Sequence, residues 1–271
     1  MTKVVLIDDF PGNIGGSEFV NKTVADHFDI KIVSSSKFKG VEEDTFYIVS
    51  NISTMSEFMV MQLATKANYI ILEHDYKFVS SRHPWRFSES IVPEDQKVNL
   101  LLYKNAKATF VQSDDHLSVF QANKIEGNFE NLECSIWSNE ELDRLLQYYE
   151  ETKTKKYKAC VVESENWIKN MQGNIKICQT HKLDYDIIPS SPPKTFLRDI
   201  AQYSMLVFFP IARETLCRLL VEARCMGLNT LTSGNSGAFM SSWYYKSGPD
   251  LIDFLRRQSK QNLIKIGKYL P

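Results

Sequence analysis

Short apolar runs alternate with helix-length amphipathic segments along the whole of this 271-residue chain. That alternation confines it to parallel sheets covered by helices on both faces. In the first half, strands are expected at Lys3 to Asp8, Ile30 to Ser34, Thr45 to Val49, Tyr69 to Glu73 and Ala108 to Gln112, with helices at Gly16 to Phe28, Thr54 to Lys66 and Asp114 to Ala122. A charged helical stretch from Asn139 to Lys156 interrupts the pattern, so a domain boundary is placed at 140/141. The alternation then restarts, with strands at Tyr157 to Val162, Ile175 to Gln179, Tyr185 to Ile188, Met205 to Phe209 and Asn229 to Thr232. Helices fit at Glu165 to Met171, Thr195 to Tyr203, Thr215 to Met226 and Asp250 to Arg257.

Composition narrows the partners. The 32 Lys and Arg against 33 Asp and Glu leave no overall field to draw the chain to nucleic acid or an acidic membrane. The local basic stretches, Lys153 to Lys158 and Arg256 to Lys268, read first as solvated helix faces. The cysteines Cys134, Cys160, Cys178, Cys217 and Cys225 form no CxxC pair and are odd in number, so reduced core thiols are expected. No histidine shares metal-ligand spacing with them. With a strand at the start, Val4 to Asp8, and no apolar run approaching the ~20 residues of a membrane span, the expected compartment is the cytoplasm.

Two segments carry chemistry. The first strand runs into Asp8, Asp9, Gly12, Gly15 and Gly16 before a helix opens, a turn whose free N–H groups suit a phosphate. It lacks the GxGxxG order of dinucleotide enzymes, and a tight turn needs glycine in any case. The second is ETLCRLLVEARCMG, Glu214 to Gly227, behind the apolar run MLVFFP. On one helix, carboxylates eight residues apart lie roughly 12 Å from each other and about 80° apart around the axis, so Glu214 and Glu222 could grip opposite ends of a nucleotide-sugar. The alternative for Glu222 is an ordinary pairing with Arg218 four residues earlier.

This segment resembles the E-x7-E signature of family-4-like glycosyltransferases of the GT-B fold, EPFGxxxxEAxxxG, with agreement at Glu214, Glu222, Ala223 and Gly227. IGGSE is similar to that family's GGxE phosphate loop, and TSGNSGA to a loop of its second domain. ILEHDYKFVSSRHPWRF, AKATFVQSDDH and NLECSIW resemble a subgroup associated with surface glycans and bacteriophages. The resemblance implies an α/β fold of two Rossmann-like domains with parallel sheets facing across a cleft: residues 1–140 on the acceptor side and 141–271 on the donor side. It implies that Glu214 meets the donor sugar, Glu222 the ribose and Lys169 the pyrophosphate. Gly15 and Gly16 would border the phosphates, Thr215 and Arg218 would line the donor pocket, and Glu18 of the glycine loop would face the acceptor. Cys217 departs from the family, standing where glycine is usual.

His74 and Asp75 end the run YIILEH, where an open parallel sheet presents ligand groups, and are expected to orient or deprotonate an acceptor hydroxyl. The following segment, Tyr76 to Gln96, offers Arg82 and Arg86 to the acceptor, or is a packed surface loop. Asp184 and Asp186 spell a DxD metal motif but sit in a short strand without companion ligands, so their expected role is structural and no metal is assigned. The resulting expectation is a retaining, metal-independent transferase without a cofactor, using a nucleoside-diphosphate sugar, UDP-linked by preference. Its acceptor would be a hydroxylated or hydroxymethylated base of phage DNA, acting in the host cytoplasm, or alternatively a saccharide or lipid-linked glycan. A non-catalytic nucleotide-sugar binding module is the competing class. A nicotinamide-dependent dehydrogenase fits poorly, because the second strand ends in serines.

Overall fold

The computed structural model describes residues 2–12 and 15–271; Asn13 and Ile14 of the glycine turn lie outside the described residues. The chain divides into two units, one formed by residues up to Trp137 together with Gln258–Pro271, the other by Ser138–Arg257. The first division falls near the expected boundary, but the last residues belong to the first unit rather than the second.

In the first unit the chain runs β1 (Lys3–Asp8), α1 (Gly16–Phe28), β2 (Lys31–Ser34), β3 (Thr45–Val49), α2 (Glu57–Lys66), β4 (Asn68–Leu72), α3 (Leu100–Asn105), β5 (Thr109–Val111), α4 (Asp114–Ala122) and β6 (Phe129–Asn131). The strands form one sheet in the order β2-β1-β3-β4-β5-β6, every neighbouring pair parallel. Alternate residues of a strand point to opposite faces. Val5, Ile7, Tyr47, Val49 and Ile71 therefore pack with Leu63, Tyr103 and Phe120 on one side. Leu6, Phe46, Ile48 and Ile70 pack with Val20, Val24 and Ile266 on the other.

The second unit holds α5 (Asn139–Glu151), β7 (Lys156–Val162), α6 (Met171–Thr180), β8 (Tyr185–Ile188), α7 (Pro193–Ile200), β9 (Tyr203–Val207), α8 (Arg218–Cys225) and β10 (Asn229–Leu231). A last helix, α9 (Gly248–Gly267), starts in this unit and ends in the first. The sheet order is β10-β9-β7-β8, again parallel throughout. Ala159, Val161, Cys178 and Val207 form its core.

Three expectations are corrected. Ile175 to Gln179 is helical: Met171, Ile175 and Cys178, spaced i, i+4, i+7, present one face to the core, a period that a strand cannot satisfy. Glu165 to Met171 contains one 3-10 turn, Trp167–Lys169, instead of a helix. The helix expected from Thr215 begins at Arg218, so Glu214 and Glu222 do not share it, and the helical spacing between them does not apply.

In each sheet the strand order reverses beside the first strand, between β1 and β3 and between β7 and β9. Open parallel sheets bind ligands at the carboxyl ends of strands at such a point.

Candidate active site

In the second unit, two loops leave the carboxyl ends of β7 and β9 and are stitched to each other. Ile211 donates its N–H to the carbonyl of Ile168 at 2.9 Å. Asn170 Nδ2 donates to the carbonyl of Phe209 at 2.9 Å. The fully buried Asn174 accepts from the Phe209 N–H at 2.8 Å and donates to the Lys169 carbonyl at 3.0 Å. This stitching brings Lys169, on the first loop, to Glu214, on the second: Nζ and Oε1 are 2.8 Å apart. Burial works against the Lys169 ammonium, but the Glu214 carboxylate prevails and holds its pKa above the ordinary value.

The backbone of Glu214 is extended rather than helical. Its N–H donates to the Asn235 carbonyl and its carbonyl accepts from the Gly237 N–H, each at 3.0 Å, forming a parallel bridge with Ser236. The turn into α8 is made by Cys217 at φ 72°, ψ 77°, a left-handed conformation that glycine adopts without strain. That is the physical sense of the glycine usual at this place in the resembled family. Burial first, then the nearby Glu214, pushes the Cys217 thiol up to about 12, so it is no nucleophile; Lys169 and Glu222 act on the same thiol electrostatically.

Arg218 opens α8 with its side chain 9% exposed, Nη2 lying 2.6 Å from Glu141 Oε1 and Nε 3.2 Å from Glu222 Oε1. The i,i+4 pairing expected as an alternative is therefore present. Glu141 is its second partner. Thr215, between the two carboxylates in sequence, is buried.

In the first unit, Asp9 at the end of β1 is gathered by the loops after β2 and β3. Its carboxylate accepts from the Ser35 hydroxyl, from the N–H and hydroxyl of Ser53, and from the N–H and hydroxyl of Thr54. Burial would raise this carboxyl, yet these donors hold it below its ordinary value. Gly15 precedes α1, and a Cβ there would overlap the Glu18 carboxylate, which lies back over the helix start and accepts from Ser17 Oγ at 3.0 Å. Gly16 is the first residue of the helix and is exposed.

His74 and Asp75 serve different networks. Gln112 Nε2, a donor, lies 2.7 Å from His74 Nδ1, and His74 Nε2 lies 3.1 Å from Asn21 Oδ1. An amide nitrogen can only donate, so Nδ1 is the acceptor and Nε2 carries the proton. The Nε2–H of His74 is thus donated to Asn21, and Nδ1 is taken up by Gln112. Asp75 is committed to Arg82, with bonds of 3.0 and 3.2 Å, and to Lys77 at 3.4 Å. Burial opposes its ionisation, but Lys77 and Arg82 keep it well below the usual carboxylate range. Neighbouring Glu73 is fully buried with Lys77 Nζ at 2.8 Å and Tyr103 Oη at 2.7 Å, and its pKa is pushed up by that burial. Arg86 is exposed beside the Trp85 ring, 5.9 Å from its centroid. The segment 76–96 is a packed loop with buried Tyr76, Phe78, Val79, Pro84 and Val92.

Asp184 and Asp186 are held by Lys158 at 3.4 and 3.2 Å, and the Tyr203 hydroxyl donates to Asp186 at 2.9 Å. Among the described residues no three His, Cys, Asp or Glu side chains converge on a cation site, and no helix is long and apolar enough to cross a membrane. All five cysteines are buried, and none forms a disulfide. In the basic helix α9, Arg256 is tied to Asn139 and Asp143 at 2.9 and 2.7 Å, and Lys265 to the Asn131 carbonyl at 2.8 Å. Arg257, Lys260 and Lys268 of the same run are exposed.

Sequence reasoning singled out Lys169, Glu214 and Glu222 as candidates but not Glu141, the partner of Arg218. Its signal was the Ser138-x-x-Glu141 capping box at the head of α5. The Asp9 clasp and the Glu73–Lys77 pair were also missed, since each depends on donors from distant segments.

No protein-family model matches the chain, and no curated protein matches it by sequence. Solved structures do match. HepE of Anabaena, in complex with UDP and glucose, is 10% identical over 96% of this chain and 89% of its own, with a TM-score of 0.53. Sucrose-phosphate synthase of Thermosynechococcus elongatus is 9% identical over 99% and 98%, with a TM-score of 0.59. A trehalose-6-phosphate synthase studied with bisubstrate glycomimetics of transfer with retention is 9% identical over 98% and 93%, with a TM-score of 0.55. At such identities the likeness is one of fold, and that fold is the α/β GT-B fold expected from the sequence.

Proposed function

We propose that the chain is a glycosyltransferase that moves a sugar from a nucleoside-diphosphate sugar, UDP-linked by preference, to an acceptor hydroxyl. The observation that carries this reading is the Lys169–Glu214 pair at the strand-order reversal of the second sheet, with Glu222 on the helix that follows. An ammonium with three donors can bind a diphosphate while still holding Glu214. Lys169 then stabilises the leaving diphosphate without a metal, Glu214 accepts from the sugar hydroxyls, and Glu222 accepts from the ribose. Thr215 and Arg218 line the same turn. Gly15 and Gly16, at the start of α1, suit a phosphate or the reacting sugar.

Both ring nitrogens of His74 are engaged, Nδ1 by Gln112 and Nε2 by Asn21, so no base is assigned, which agrees with transfer with retention, where the substrate itself takes the proton. The fold neighbours support the class of reaction, HepE having been crystallised with UDP and glucose. For the acceptor, a saccharide hydroxyl is preferred over a modified DNA base. Arg82, Arg256 and Lys265, on which phosphate binding would draw, are engaged by Asp75, Asp143 and the Asn131 carbonyl. Glu18 and Arg86 remain the acceptor-side candidates.

The reading is tested by titrating UDP, GDP, ADP and their glucose conjugates against the protein and its Glu222→Ala variant. Calorimetric binding of at least one diphosphate, weakened in the variant, is expected. Absence of binding for the whole panel overturns the transferase reading, and unchanged affinity in Glu222→Ala overturns the ribose assignment. Mass spectrometry after reaction with oligosaccharides or hydroxymethylated DNA then identifies the acceptor.

A further inference from the structure

Leu100, Leu101 and Leu102 open α3 in succession, and a helix can turn only one face to the core. Leu102 and Tyr103 take the core positions, at 1% and 0% exposure, while Leu100 and Leu101 stay 41% and 36% exposed. Together with Ile125, in the turn after α4, these two leucines form the apolar side of a cleft of about 440 Å³. That volume is within the range of small-molecule sites, and adjacent exposed apolar side chains mark a binding surface. The turn is packed against the end of α3: a Cβ on Gly127 would lie 2.8 Å from the Tyr103 carbonyl oxygen.

The polar side of the cleft is cationic. Lys97, Lys104 and Lys124 stand against Glu94 and Glu126, a net charge of +1 among the lining residues. Lys97 is occupied: its side chain is 6% exposed, and its ammonium donates to Glu94 at 2.5 Å and to the Asn123 carbonyl at 2.8 Å. Lys104 meets Glu126 at 2.7 Å in an exposed pair, which contributes little to stability and yields readily to a ligand. That pair brings the Lys104 ammonium to the turn that carries Lys124, which is exposed and has no ion-pair partner among the described residues. The lining includes no aromatic ring, so a nucleobase finds nothing to stack on.

We propose that this cleft binds a single-tailed anionic amphiphile, its alkyl chain along Leu100, Leu101 and Ile125 and its head between Lys104 and Lys124. Both ammonium groups donate to the oxygens of a sulfate-, phosphate- or carboxylate-type head, and the chain displaces water from the two exposed leucines. The site is separate from the Lys169–Glu214 turn, which belongs to the second unit.

The experiment titrates octyl sulfate, methyl sulfate and 1-octanol, each below its aggregation concentration, into the full chain by calorimetry. Octyl sulfate is expected to bind at one equivalent, and the two fragments about tenfold more weakly or less still, each lacking half of the match. Lys124→Gln is expected to weaken octyl sulfate about fivefold and leave octanol unchanged, whereas Leu101→Asn weakens both about tenfold. Both side chains are exposed, and melting temperatures equal to that of the wild type show that the variants fold. Sedimentation with phosphatidylglycerol vesicles distinguishes the sources of such a ligand. Vesicle binding that Leu101→Asn reduces assigns the site to a membrane lipid, and monomer binding without vesicle binding assigns it to a free amphiphile. Octyl sulfate that binds no better than its fragments, or equally well to both variants, overturns the site, as does vesicle binding without binding of the monomer.

Discussion

Replacing Lys169 with Met removes one charge from the proposed donor site with little change in volume. The ammonium lies 2.8 Å from Glu214, in a setting where the two side chains are 36% and 23% exposed. A hydrogen bond to an ionised group contributes about 1.5–3 kcal/mol, so losing the ammonium–diphosphate contact weakens UDP binding about 10- to 150-fold. Glu214 is then left without its counter-ion beside an anionic ligand, which adds repulsion. The double variant Lys169→Met/Glu214→Gln removes that repulsion and regains part of the loss. Titration calorimetry in 0.1 M salt, where charges are screened beyond about 10 Å, isolates these short-range effects. Lys158→Met, at a lysine occupied by Asp184 and Asp186, is the control and leaves affinity unchanged. Because the Lys169 pKa is held above its ordinary 10.5, the ammonium persists and affinity stays level from pH 7 to pH 9. A Lys169→Met protein that binds UDP within twofold of the wild type, or a double variant weaker than the single one, would refute the assignment.

Asp9→Asn turns an amide donor toward hydroxyls and N–H groups that now converge on a carboxylate, at a cost of about 1–3 kcal/mol in stability. Since the Asp9 pKa is depressed, its contribution is fully present above the ordinary value of 3.8 and is lost as pH falls below it. Melting temperatures measured from pH 7 to pH 3 should show the gap between variant and wild type closing at the acid end. At Cys217, with φ 72°, glycine relieves roughly 1 kcal/mol of left-handed strain while giving up a similar burial term, so Cys217→Gly melts close to the wild type. Cys217→Val puts a β-branched side chain into the same conformation and should melt several degrees lower; equal melting of the two variants would contradict the strain assigned there.

How much of this was legible beforehand depended on the range of the forces involved. β1, α1, β3, α4 and β8 have the bounds expected, because each is fixed by local periodicity and by a cap or turn adjacent in sequence. Ile175 to Gln179 misled because three isoleucine and cysteine positions in five residues imitate a strand when the flanking Met171 is ignored. The run ETLCRLLVEA looks helical from its first residue, yet Glu214 spends its backbone bonds on Asn235 and Gly237, and no local pattern announces that pairing. Lys169 was singled out only through the family resemblance, in a stretch expected to be helical. Its meeting with Glu214 depends on Asn170 and Asn174, whose amides bond to the Phe209 backbone, 39 and 35 residues away. His74 was expected to orient or deprotonate an acceptor hydroxyl, and the amides of Asn21 and Gln112, 53 and 38 residues away, engage both its ring nitrogens.

The membership of α9 carries a consequence for assembly. Ile266 is wholly enclosed against α1 and the strands beginning with β1, and Tyr269 meets both the Phe110 ring and Glu130. One wall of the first sheet is thus supplied by a segment translated long after its last strand. During synthesis that sheet must wait, with Leu6, Phe46 and Phe110 incompletely covered, until residues 258–270 have emerged, so the order of translation and the order of completion run in opposite directions.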